Sequence, residues 1–116
     1  MRGPGGAVRK CSVYTYLRFF FEAGVPHTPL WPEHMDSPYG YPCEPERLPI
    51  SEATRAELVR LSERFQSSID WKYPQGPSPW SDAEKELFDE QSDAVVKALR
   101  GELGDGWKVL DQRLPW

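Results

Sequence analysis

The chain has 116 residues, 39% of them hydrophobic and 28% charged, with a net charge of −4 and a mean hydropathy of −0.64. This size and balance fit one globular domain and exclude a disordered chain, and no apolar run approaches the ~18 residues that a membrane span needs. The acidic balance argues against nucleic acid and against an anionic membrane as partner, and permits a basic protein.

Residues 1–9 read as a flexible, glycine-rich tail and residues 10–116 as a single domain. Arg2, Arg9 and Lys10 are not followed by the apolar stretch and small-residue cleavage site of a secretory signal, so the expected location is the cytoplasm. Cys11 and Cys43 are the only cysteines. The default there is two reduced thiols, with a disulfide between the first strand and the following loop as the rival reading. Residues 11–21 alternate as a strand does. One face carries Cys11, Val13, Thr15, Leu17, Phe19 and Phe21 and is the core candidate. The other, with Tyr14, Tyr16, Arg18 and Phe20, is mixed and expected to be partly covered.

Residues 23–50 form a long proline-rich connection holding Trp31, Tyr39 and Tyr41. A connection of that length is either functional or poorly ordered, and further strands could lie within it. Its aromatics suggest that it packs down on the body. Ser51 is placed to cap a helix over 51–69 with Leu58, Leu61, Phe65 and Ile69 on one face. Ser81-Asp82-Ala83-Glu84 is a capping box opening a second helix over 82–103, in which Leu87, Phe88, Gln91, Val95, Ala98 and Leu99 share a face. Gly104 suits the helix end, and a last strand is predicted over 107–113. The fold class is therefore α+β: a small antiparallel sheet of strands 11–21 and 107–113 packed on an antiparallel helix pair. No internal repeat is visible.

Little in the chain points to catalysis. His27, His34 and Cys43 are spaced by 7 and 9, which matches no common zinc motif. No glycine-framed serine and no phosphate-cradling loop is present. No enzyme activity, metal or cofactor is expected. Asp82, Glu86, Asp89 and Asp93 follow spacings of 4, 3 and 4 and form a stripe opposite the apolar face, with Glu90 beside it. Such a stripe is either a solvated helix face, its first-turn acids favoured by the dipole, or a docking surface for a basic partner. Trp71, Trp80 and Trp107 flank helix ends as core or cap residues, whereas Trp31, Tyr39 and Tyr41 are candidate binding anchors.

Pro29-Leu30-Trp31, Leu48-Pro49-Ile50-Ser51, Ile69-Asp70-Trp71, Pro79-Trp80-Ser81, and Glu102-Leu103-Gly104 before Trp107-Lys108-Val109 form a pattern over roughly residues 11 to 112. It resembles short uncharacterised actinobacterial proteins, some of which look like immunity partners of secreted toxins. Its motifs are structural caps and anchors, and the resemblance carries no catalytic residue. It implies a protein-interaction module that binds and neutralises a cognate toxin, with a basic toxin domain as the expected partner class. The partner-binding candidates are Asp82, Glu86, Asp89, Glu90, Asp93, Trp31, Tyr39 and Tyr41. The alternative is a regulatory or accessory subunit of another protein, and the third reading a small enzyme.

Overall fold

The computed structural model describes residues 14–116. The predicted tail 1–9, Cys11 and the first residues of the predicted first strand lie outside the described residues. In chain order the described residues form β1 (Thr15–Phe19), β2 (Leu30–Pro32), a 3-10 helix (Pro45–Arg47), α1 (Glu52–Gln66), α2 (Asp82–Leu103) and β3 (Trp107–Asp111). The sheet order is β2-β1-β3.

The sheet is mixed, which corrects the expected antiparallel pairing. β1 pairs antiparallel with β2 but parallel with β3. The cause is β2, a strand inside the proline-rich connection that was not assigned from the sequence. It turns the chain back once more before α1 begins. Each of the following elements reverses direction in turn, so β3 returns running with β1. The helices are antiparallel: Glu102 meets the start of α1 at Ser51 and Thr54, whereas Arg64 near its end pairs with Glu84 near the start of α2.

Period-two alternation buries one face of β1. Leu17 and Phe19 are fully buried, and their register partners Val109 and Leu30 join them in the core. From the helices come Leu58, Leu61, Phe88, Val95, Val96 and Leu99. The proline-rich connection contributes Leu30, Cys43, Leu48 and Ile50 to this core, so it packs on the body. Inside it, the Thr28 hydroxyl donates to the Cys43 carbonyl at 2.6 Å and accepts from the Leu30 amide at 3.2 Å. Burial pushes the Cys43 thiol up to about 11, so at neutral pH it stays protonated and unreactive.

Both caps form at the serines chosen from the sequence. Ser51 accepts from the Thr54 amide. Ser81 accepts from the Glu84 amide at 3.1 Å while the Glu84 carboxylate accepts from the Ser81 amide at 2.9 Å. Ser81→Ala should therefore lower stability by about 1 kcal/mol, read as a shifted denaturation midpoint with an unchanged slope. α1 ends at Gln66, short of the predicted 69. The Ser67 and Ser68 hydroxyls donate to the Arg64 and Phe65 carbonyls, closing the last turn with side chains instead of further helix. Ile69 and Trp71 thus lie beyond the helix, and Trp71 is exposed rather than packed, its indole N–H donating to the Gln66 carbonyl.

Glu102 ties the two helices together. Its carboxylate accepts from the Ser51 amide at 2.6 Å, the Thr54 hydroxyl at 2.6 Å and the Ser51 hydroxyl at 3.2 Å. These bonds, the Ser51 amide first, hold its pKa below the ordinary 4.5. A depressed carboxylate stabilises the fold above its unfolded pKa, and that contribution is lost as pH falls through the lower folded value. Glu102→Gln should lower the melting temperature by a few degrees at pH 7, and the gap to wild type should close on acidification below about pH 4. A gap that persists at low pH would mean that the charge of Glu102 does not matter.

Candidate partner-binding surface

α2 carries the acidic residues. At ~100° per residue, Asp82, Glu86, Asp89 and Asp93 line up along one flank. That flank lies about a third of a turn from the buried line of Phe88, Ser92, Val95 and Leu99, so the stripe is beside the apolar face rather than opposite it. Glu90 is the residue that points directly away from the core. All five are exposed. Leu87, expected on the core face, falls on the other flank and is 49% exposed.

The stripe divides into two parts. Its second half is engaged by the segment 112–116, which follows β3 and folds back over α2. Arg113 bonds Asp93 at 2.5 Å and Asp111 at 2.6 Å, and the Trp116 indole N–H lies 3.2 Å from both Asp89 carboxylate oxygens. The Arg113 guanidinium holds the Asp111 carboxyl below its usual range. Trp116 then packs against Trp80 and Phe88, at centroid distances of 5.6 and 6.1 Å. The first half, Asp82 and Glu86 with Glu90, forms no ion pair among the described residues. Asp82 and Glu86, and Glu86 and Glu90, stand at i, i+4, where like charges destabilise a helix.

The three aromatic candidates are in different surroundings. Trp31 stacks on Phe20 at 5.0 Å and 6°, and donates its indole N–H to the Phe20 carbonyl. Tyr41 stands edge-on to Trp31 at 5.6 Å, and its hydroxyl accepts from Arg18 at 2.9 Å. Both lie on the outer face of the sheet. Tyr39 packs against Trp107 at 5.2 Å, alongside the core. The structure thus brings Trp31 and Tyr41 together, separates Tyr39 from them, and sets all three apart from the α2 stripe.

Arg113 and Trp116 had no role in the sequence reading, and Arg18 was only one residue of a mixed strand face. Asp111 is a local partner of Arg113, but the contact of Arg113 with Asp93 and the indole seated on Phe88 depend on the fold-back of segment 112–116, which no local spacing announces. A cleft of about 620 Å³ lies between that segment and the body, lined by residues including Arg18, Phe20, Phe65, Ile69, Phe88 and Asp89. His27 and His34 are exposed, and among the described residues no three of His, Cys, Asp and Glu are grouped to hold a metal ion.

The family model described as Serratia CdiI immunity protein-like matches residues 19–111. The chain belongs to this immunity protein-like family. The match runs from the end of β1 to the end of β3 and takes in β2, both helices and all of the acidic and aromatic candidates. It supports the immunity part of the resemblance drawn from the sequence and does not bear on the actinobacterial part. Membership implies a protein partner. Arg18 and segment 112–116 fall outside the matched residues. A comparison with curated proteins gave no match. No described helix is long and apolar enough to cross a membrane.

Proposed function

We propose that this chain is an immunity protein that binds and neutralises a cognate toxin in the cytoplasm, and that it meets a basic surface of that toxin with the exposed acids of α2. Membership of the immunity protein-like family carries the reading. The choice of surface is supported by charge. Asp82, Glu86 and Glu90 are exposed, mutually repulsive and unpaired among the described residues. A helix that keeps such spacing at a cost to itself gains when a cationic surface covers it. Asp89 and Asp93 contribute to the field there but are occupied by Trp116 and Arg113. Trp31 and Tyr41 are anchors on a separate face, and Tyr39 braces Trp107.

The test is protection. If a gene beside this one encodes a toxin domain, cells producing that domain should survive when this chain is co-produced at equal level. Growth arrest with and without the chain would reject the immunity reading.

A further inference from the structure

The outer face of the sheet, away from the helices, carries a cation, Arg18, with no counter-ion among the described residues. Arg18 stands in register with Trp31 on β2 and Leu110 on β3. Its Nη2 donates to the Pro32 carbonyl at 3.2 Å and to the Tyr41 hydroxyl at 2.9 Å, and its guanidinium carbon lies 5.7 Å from the Phe20 ring centroid. Its Nε is buried and makes no hydrogen bond among the described residues. No described carboxylate is within ion-pair distance of it, and residues 1–13 contain no Asp or Glu. Lys108, on the same face, lies over Tyr14 at 4.5 Å. A half-buried guanidinium held by two neutral acceptors has given up hydration without gaining an anion.

Although Trp31 and Tyr41 stand apart from the α2 stripe, Arg18 and Phe20 beside them line the same cleft as Phe88 and Asp89 of α2. Its volume of about 620 Å³ falls in the range of ligand-sized clefts and leaves room for apolar side chains of a bound segment.

We propose that the partner's contact extends from the acids of α2 across this cleft to Arg18, where a carboxylate of the partner pairs with the guanidinium. The occupant is a protein segment that places an apolar side chain in the cleft beside an Asp or Glu. The inference rests on the toxin-binding reading for its partner, but it assigns a site that the α2 stripe does not require. Arginine among tryptophan and tyrosine is the composition of an interface hot spot. A pair shielded by Phe20, Trp31 and Tyr41 acts on dissociation, whereas the exposed α2 charges act on association.

The probe is the purified toxin domain against which this chain protects cells, with Arg18→Met and Arg18→Lys variants of the full chain. Arg18→Met keeps the unbranched stem out to the position of Nε and removes the rest of the guanidinium with its charge. Its complex should dissociate about 30-fold faster or more, with association changed less than about twofold. Arg18→Lys should recover part of the loss. The free Arg18→Met protein should melt at or above the wild-type temperature, because an unpaired, partly desolvated charge is removed. Dissociation of Arg18→Met within about twofold of wild type would overturn the proposal. So would a lowered melting temperature that Arg18→Lys restores without changing dissociation, which would make Arg18 a brace for Pro32 and Tyr41. If charge reversal on α2 still slows association in either case, toxin binding stands and only the Arg18 site fails. If the wild-type chain forms no complex, both fail together.

Discussion

Phe88→Ala should be the most destabilising single change in the second helix, costing about 3–5 kcal/mol. Phe88 is 2% exposed. Its ring lies 4.8 Å from Phe21, 5.2 Å from Trp80 and 6.2 Å from Phe65, so truncation opens a void where β1, both helices and segment 112–116 converge. Rigid aromatic rings cannot collapse into such a space, and the cavity cost adds to the lost transfer energy. Against a total stability of ~5–15 kcal/mol, the variant should approach the edge of folding. Denaturant titration measures the effect. Leu87→Ala, one residue earlier on the exposed flank, is the internal control and should cost less than about 1 kcal/mol. Similar losses at the two positions would mean that α2 is rotated from the orientation described.

Reversing Asp82, Glu86 and Glu90 together to lysine should slow association with the toxin domain about 10- to 100-fold at low salt. Exposed charges act through the long-range field that guides encounter, so the association rate should carry most of the change. The difference from wild type should shrink as salt rises, because the Debye length falls from ~10 Å at 0.1 M to ~3 Å at 1 M. Glu84 is left intact because it completes the capping box, and Asp89 and Asp93 because they hold Trp116 and Arg113. Melting should shift little. Asp82 loses its favourable place at the helix N-terminus, whereas the like-charge repulsion along the helix is replaced rather than deepened. An unchanged association rate at low salt would reduce the α2 acids to a solvated helix face.

Local chemistry was legible in the sequence where one short pattern determines one structure. The capping box at Ser81 and Glu84 placed the start of α2, and Gly104, which takes a φ of 83° there, marked its end. Alternation along β1 separated Leu17 and Phe19 from Tyr16 and Arg18. What escaped was long-range. β2 is three residues, Leu30–Pro32, too short for a periodic signal, and missing it reversed the expected direction of β3. The end of α1 depends on Ser67 and Ser68 turning their hydroxyls back on the helix, which composition alone does not reveal.

The candidate surface follows the same division. Exposure of Asp82, Glu86 and Glu90 could be read from helical spacing. The occupation of Asp89 and Asp93 could not, because Arg113 and Trp116 are about twenty or more residues away and reach α2 only through the fold-back after β3. The stripe's position on the flank rather than opposite the core reflects a buried line that runs through Ser92 and Val96, residues outside the apolar set picked from the pattern. Ser92 is fully buried although polar. Tyr39 looked equivalent to Trp31 and Tyr41 in a shared loop, but a turn around Ser37 and Gly40 directs it to Trp107.

Carboxyl footprinting of the free chain and of its complex with the purified toxin domain tests most directly whether α2 is the docking surface. Carbodiimide-driven labelling should modify Asp82, Glu86 and Glu90 readily in the free protein and be suppressed at all three in the complex, while exposed Glu52 and Glu63 on α1 label equally in both. Equal labelling of Asp82, Glu86 and Glu90 in the free and the fully bound chain would contradict docking through α2.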